Sequence, residues 1–374
     1  MRKPVISSVV KALPHLVPFV GPEQMERLRG RPFRARLGAN ESPFGASPRA
    51  ILAMEEAARD SWKYCDPENH DLRASIARVH NVEVDNVVIG EGIDGLLGLA
   101  VKIAADPGTP VVTSDGAYPT FNFHVAAQGA RLVKVPFRDD REDLEALRDA
   151  AVREKARVLY VSNPNNPMGS WWQSADLERL IATLPGGLLL LLDEAYCDTA
   201  PQGSVPPVDT GNPQVLRLRT FSKAYGLAGA RIGYALGEAG LIANFEKVRN
   251  HYGINRMGQI AARAAIEDQP YLAAVVQRIE QARHRIARIA RDSGLEPLPS
   301  ATNFVAIDCG REGVFAKAVL DELLARDVFA RKPASAGLDR CIRISCGLDA
   351  ELEILAEMLP PAVAAARRSR LDQS

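Results

Sequence analysis

Thr220-Phe221-Ser222-Lys223, with Arg231 eight positions further on, put one amine, two hydroxyls and one guanidinium within a short stretch of chain. An amine of this kind forms an imine with an aldehyde, and the hydroxyls and guanidinium beside it suit a phosphate. The run Val215-Leu216-Arg217-Leu218-Arg219 reads as a strand leading into this group. That would set Lys223 beyond the end of a buried strand, with Gly226, Gly229 and Gly233 loosening the backbone behind it. By itself one lysine beside hydroxyls is weak evidence, so the rest of the chain must supply its neighbours.

Three other stretches offer candidates. Gly90-Glu91-Gly92-Ile93-Asp94-Gly95 follows the short strand Val87-Val88-Ile89 and opens a helix, with Asp115 twenty residues past the last glycine. This matches a dinucleotide-binding fingerprint. Its physical content is broader, because glycines at a helix N-terminus turn backbone N–H groups toward any phosphate. Next, Ser162-Asn163-Pro164-Asn165-Asn166-Pro167-Met168-Gly169 ends a strand; two X-Pro steps hold its backbone extended and project the asparagines from a rigid frame. Last, the fully apolar run 187–192 is a central parallel strand ending in Asp193-Glu194-Ala195-Tyr196, which places a carboxylate at the carboxyl edge of the sheet. Phe121 and His124, three apart, share one side of a helical turn, where core filling is the simpler reading. Asn40 and Tyr64 lie in turn-rich loops.

These groups need a scaffold. At 374 residues the chain exceeds one ordinary core, and two domains are expected. Lys+Arg and Asp+Glu both number 46, so no net charge draws the protein to nucleic acid or a membrane surface. The five cysteines are scattered and never paired as C-x-x-C, which argues against a disulfide framework or a metal site and fits a reducing cytoplasm. No apolar run is long enough to span a bilayer, and the N-terminus has no signal-peptide pattern. Strands and helices alternate through residue 235, which implies right-handed crossovers and a mostly parallel sheet. A long helical stretch, about 238–292, then gives way to short strands at 303–307, 328–331 and 341–345 with helices near 312–326 and 349–366, a smaller α+β domain.

Taken in order, these motifs resemble the aspartate-aminotransferase superfamily of fold type I pyridoxal-phosphate enzymes, and within it the histidinol-phosphate aminotransferase group. The resemblance runs from about residue 12 to 360 and rests on Asn163 to Gly169, Asp193 to Tyr196, and Ser222-Lys223 with Arg231. It implies an α/β fold with a large, mostly parallel sheet and a smaller α+β domain: an N-terminal arm at 1–45 packing with the small domain, a cofactor domain at 46–272 and a small domain at 273–374. It implies Lys223 as the lysine of the internal aldimine and the base, Asp193 as partner of the pyridinium nitrogen, and Asn166 and Tyr196 as partners of the ring oxygen. Phe121 would stack on the ring, and His124 would stand behind the aspartate. Gly92, Ile93 and Asp94, with Thr220, Ser222 and Arg231, would hold the phosphate. Tyr64 would reach the phosphate of a second subunit, making a homodimer with shared sites. Arg343 would clamp a substrate carboxylate, with Asn40, Arg331, Arg256 and the position of Phe19 near the substrate.

The sequence departs from the family pattern at several of these points. Phe19 stands where a tyrosine is usual, Met168 replaces a threonine, Ile93 a serine and Gly95 a glutamate. The expected activity is amino transfer between an amino acid or a histidinol-phosphate-like amino-alcohol phosphate and a 2-oxo acid. One rival is decarboxylation or other Cα chemistry on the same cofactor. A second is a nicotinamide-dependent dehydrogenase built on Gly90–Gly95, which leaves Lys223, Asp193 and Asn166 unexplained. A third, the cofactor-binding half of a regulator, lacks a DNA-binding domain.

Overall fold

The computed structural model describes residues 4–13, 20–310 and 312–371. Its strands, in chain order, are β1 (Ala35–Arg36), β2 (Val87–Gly90), β3 (Pro110–Ser114), β4 (Arg131–Val135), β5 (Val158–Ser162), β6 (Leu189–Asp193), β7 (Val215–Thr220), β8 (Gly233–Leu236), β9 (Glu296–Pro297), β10 (Phe304–Asp308), β11 (Val328–Phe329) and β12 (Cys341–Ser345). Seven of them form one sheet in the order β2-β8-β7-β6-β5-β3-β4. β7, β6, β5, β3 and β4 run parallel, and β8 runs antiparallel to both of its neighbours.

The sequence pattern explains the buried centre. β5 and β6 are buried along their whole length, as strands covered by helices on both faces must be. Alternate residues feed separate cores: Val158, Tyr160, Leu189 and Leu191 pack into one, and Leu159, Val161, Leu190 and Leu192 into the other. Each fully buried leucine contributes about 1.5–3 kcal/mol. A Leu191→Ala change would remove that term and open a cavity, at a cost of about 2–5 kcal/mol.

The sequence pattern makes Gly233 part of a loose loop, whereas it begins β8. Residues 221–232, which join β7 to β8, hold only the short helical turn Ala228–Ala230, and the strand returns antiparallel. A Cβ on Gly233 would lie 2.8 Å from the Gly92 carbonyl carbon and the Ile93 nitrogen, so glycine is what lets the two backbones meet.

The expected helical stretch holds three helices, Ala239–Glu246, Arg256–Glu267 and Gln269–Asp292. The expected boundary at 272/273 therefore falls inside the last of them. Beyond it, β12-β10-β9 form an antiparallel sheet, and the helices Gly313–Ala325 and Asp349–Leu371 pack nearby, the second running past the expected end at 366. β1 pairs in parallel with β11, and Ala35 and Leu37 sit in the same core as Val305, Ile307 and Ile344. Residues 35–37 thus pack onto the C-terminal unit, whereas the helix Ser8–Ala12 lies against the helix Pro119–Ala127. Phe19 lies outside the described residues.

Candidate active site

β5, β6 and β7 end side by side, with Ser162 in register with Asp193. A cavity of about 370 Å³ opens at this edge, lined by Ser162, Asn166, Asp193, Tyr196, Thr220, Ser222 and Lys223 and closed by Ile93, Asp94, Tyr118, Tyr160 and Arg231. Parallel strands converge their carboxyl ends on one edge, so residues far apart in sequence meet there.

Lys223 Nζ donates to the Asn40 carbonyl oxygen at 3.0 Å and lies 5.6 Å from the Tyr196 ring centre. Burial, with Arg343 nearby, lowers its pKa to about 8. A larger neutral fraction near physiological pH makes it a better nucleophile and base. Asp193 accepts from the Tyr160 hydroxyl at 2.7 Å and from the Ala195 N–H at 2.9 Å. Neither partner is charged, and burial raises the carboxyl to about 6. Tyr196 accepts from Asn40 Nδ2 at 3.2 Å and meets Phe304 edge-on; burial pushes its phenol upward.

One end of the cavity is built for an anion. Helix Gly92–Ala104 begins there with no side-chain cap, leaving its first backbone N–H groups without helical partners. Gly92 has φ +76°, and a Cβ on it would stand 2.7 Å from Arg231 Nη2. The Ser222 N–H donates to Thr220 Oγ1, and the two hydroxyl oxygens are 3.0 Å apart. Arg343, on β12, donates through Nη1 to Asn166 Oδ1 at 2.5 Å and through Nη2 to the Gly38 carbonyl at 3.4 Å. Its buried Nε has no hydrogen-bond partner among the described residues, its guanidinium lies over Phe304, and burial lowers its pKa to about 10.

Several expected positions differ. Phe121 is fully buried and stacks on Tyr160 at 4.4 Å, away from the cavity wall, where Tyr118 stands instead. The reason is helix phase: Phe121 is inside helix Pro119–Ala127 and faces the core, whereas Tyr118 precedes its first residue. His124 lies 3.2 Å from Asp94 rather than on Asp193, whose hydroxyl partner is Tyr160. Asn163 and Asn165 turn inward: Asn163 binds the Ser204 carbonyl and Trp172 N–H, and Asn165 binds Glu142 and the Met168 N–H. Asn166 alone of the three lines the cavity. Arg256 sits in a separate recess with Asp66, Asn69 and Gln259, 3.7 Å from Asp60. Arg331 donates to the Val20 carbonyl and exchanges backbone hydrogen bonds with Arg343. Tyr64 is 82% exposed and packs against Tyr252, outside the cavity of its own chain.

Sequence reasoning passed over Tyr118, Tyr160, Ser345 and Glu142. Tyr160 was legible, since it stands two residues before Ser162 on β5 and so shares its face. Glu142 gave no local signal. It is buried under the Ser162–Asn165 turn, accepting from the Ser162 N–H and Asn165 Nδ2 at 3.0 Å each, and burial raises it to about 8.

A lysine just past the end of β7, an opposing carboxylate and an anion cradle at this sheet edge define a cofactor-dependent enzyme of the transaminase kind. The chain belongs to the class I and II aminotransferases, whose family profile matches residues 35–359. It is 35% identical over 331 residues to histidinol-phosphate aminotransferase 2 of Pseudomonas fluorescens, covering 87% of this chain and 88% of that protein. It is 31% identical over 348 residues to histidinol-phosphate aminotransferase of Moorella thermoacetica, covering 92% and 89%. The crystal structure of histidinol-phosphate aminotransferase from Sinorhizobium meliloti in complex with pyridoxal-5'-phosphate superposes with a TM-score of 0.93 at 53% identity, over 96% of this chain and 97% of that one.

Proposed function

We propose that this transaminase uses pyridoxal phosphate to move an amino group from a histidinol-phosphate-like amino-alcohol phosphate to a 2-oxo acid. The observation that carries the cofactor is the convergence of Lys223, Asp193, the Asn166–Tyr196 pair and the Gly92–Arg231 cradle on one cavity. These residues suit the group's aldehyde, ring nitrogen, ring oxygen and phosphate in turn. Bound there, pyridoxal phosphate supplies an aldehyde and an electron-withdrawing ring. The protein's own part is then defined. Asp193 keeps a negative charge where a protonated ring nitrogen needs one, and Asn166 and Tyr196 offer donors to an oxygen anion. Thr220, Ser222, Arg231 and the backbone of Gly92, Ile93 and Asp94 hold the phosphate, while Lys223 Nζ takes and returns the substrate proton. The dehydrogenase reading loses its ground, because the Gly90–Gly95 turn closes the same cavity as Lys223.

The relatives' names support the donor, and the half-buried Arg343 fork, its Nε without a partner among the described residues, supports an anionic group on donor or acceptor. We place the enzyme in the cytoplasm as a homodimer, with Tyr64 reaching the partner's cradle. The exposure of Trp62, Tyr64 and Tyr252 in one region supports this, and among the described residues no helix is long and apolar enough to cross a membrane. Lys223→Ala should abolish visible cofactor absorbance and lower transamination by about 10⁴-fold; retention of both would overturn the reading. A kcat/KM for common amino acids about a hundredfold above that for histidinol phosphate, the scale of a lost pocket contact, would overturn the donor. Carbon dioxide release without an acceptor would replace transamination by decarboxylation. Sedimentation as a monomer would overturn the shared site.

A further inference from the structure

Asn40 was expected near the substrate, yet the structure engages every polar group it has. Its backbone N–H donates to Ser345 Oγ at 2.9 Å, and its Oδ1 accepts from the same hydroxyl at 2.9 Å. Its Nδ2 lies 3.2 Å from the Tyr196 hydroxyl. Its carbonyl accepts from Lys223 Nζ and from Asn303 Nδ2, at 3.0 Å each. Both Asn40 and Ser345 are 3% exposed, so water does not compete for these groups.

The direction of each hydrogen follows from this inventory. A serine hydroxyl has one proton. In the arrangement the structure shows, Ser345 Oγ accepts the Asn40 N–H on one lone pair and gives its proton to the oxygen end of the Asn40 carboxamide. That fixes which way the carboxamide is turned and leaves the NH₂ end facing Tyr196. An amide NH₂ only donates, so the tyrosine oxygen must accept and its own proton must point elsewhere. Tyr196 lines the cavity, and its ring stands at 86° to that of Phe304.

We infer that Asn40 and Ser345 are positioning residues that force the Tyr196 hydroxyl to donate into the cavity. The inference rests on the pyridoxal-phosphate reading, in which that donor meets the ring oxygen anion. It also explains why the N-terminal segment reaches this far: Asn40 joins β12, two residues from Arg343, to the side chains of Tyr196 and Lys223. A donor withdrawn from an oxygen anion leaves it more basic, so a proton shared with that oxygen is held to higher pH.

The test is the pH midpoint of visible absorbance in the cofactor-loaded enzyme, a readout separate from turnover and unmoved by a merely structural defect. Asn40→Gly keeps the left-handed backbone (φ 55°) and the carbonyl that Lys223 and Asn303 use. It should raise the midpoint by about one pH unit, the scale of one hydrogen bond to a charged group. Ser345→Ala, which lets the carboxamide turn over, should shift it the same way by less, and it serves if the glycine variant does not fold. The charged and titratable groups around Tyr196, namely Lys223, Arg343, Asp193 and Tyr118, stay in place in both variants. In a Tyr196→Phe background neither change should move the midpoint further. An unmoved midpoint in coloured Asn40→Gly protein, or an equal shift without the tyrosine hydroxyl, would overturn the positioning role alone. Wild-type protein that takes up no cofactor colour would overturn the reading beneath it.

Discussion

Asp193 and Glu194 are consecutive carboxylates, 5% and 1% exposed, and the protein treats them in opposite ways. Glu194 lies between two arginines of β7: it pairs with Arg217 through both oxygens and with Arg219 Nε at 2.8 Å. Arg217 is further held by the Pro206 and Pro207 carbonyls. Arg219 donates to His80 Nδ1, so that ring carries its proton on Nε2 and donates to the Tyr234 hydroxyl. Burial, with Arg219 beside it, lowers His80 to about 4 and keeps it neutral. Although burial raises the Glu194 carboxyl, the arginines outweigh it and the net shift is downward. Among the described residues Asp193 is hydrogen-bonded by a tyrosine hydroxyl and a backbone N–H and by no cation, and burial moves its carboxyl up despite the charge of Lys223 nearby. One buried charge has its counter-ion built in and serves the fold. The other has been left for a ligand to complete, which is how a site can be told from a scaffold when both are buried and acidic.

Four experiments bear on that contrast, taken from the largest expected effect down. Asp193→Ala should cut kcat/KM by about 10³-fold, while thermal unfolding shows a loss no greater than about 1 kcal/mol, since removing an unpaired buried charge offsets the lost hydrogen bonds. Glu194→Ala should do the reverse, lowering stability by about 3–5 kcal/mol in denaturant titration because two buried arginines lose their partner. Equal stability losses in the two variants would break the comparison. For Lys223, imine formation needs the neutral amine, and its pKa lies near 8 rather than at the ordinary 10.5. Cofactor uptake by the unloaded protein, followed by stopped-flow absorbance, should therefore rise about tenfold per pH unit below 8 and level off above it. Tyr160→Phe is the smallest change. Its hydroxyl lowers the Asp193 pKa, so removing it should move the acid limb of the kcat/KM profile upward by about half a pH unit.

Much of this was legible in the sequence, and the misses have a common cause. Lys223, Asp193, Asn166, Tyr196 and Arg231 follow directly from strand ends and short motifs, because a strand's carboxyl end fixes where the next residues go. Phe121 and His124 failed because a residue's place in a motif does not give the rotation of the helix that carries it. Asn163 and Asn165 share a motif with Asn166, but their own hydrogen bonds turned them inward. Strand β8 went unseen because its glycine reads as a loop signal, while its real purpose is to let β8 approach the Gly92 turn. Arg256 lies in another recess beside Asp60, and Arg331, whose backbone bonds to that of Arg343, turns its guanidinium to the Val20 carbonyl.

The helix Gln269–Asp292 also limits how the protein can be taken apart. At 1.5 Å per residue its 24 residues make a rod of about 36 Å. Leu272 packs against the apolar clusters of both units, and Val275, Ile279, Ile286 and Ile289 are buried in the C-terminal one. A scission at 272/273 would split this rod and bare core leucine and isoleucine on both fragments, so neither half should be recovered as a well-folded product. A calorimeter should record one cooperative melting event for the chain, and proteases should spare this position until the whole molecule opens.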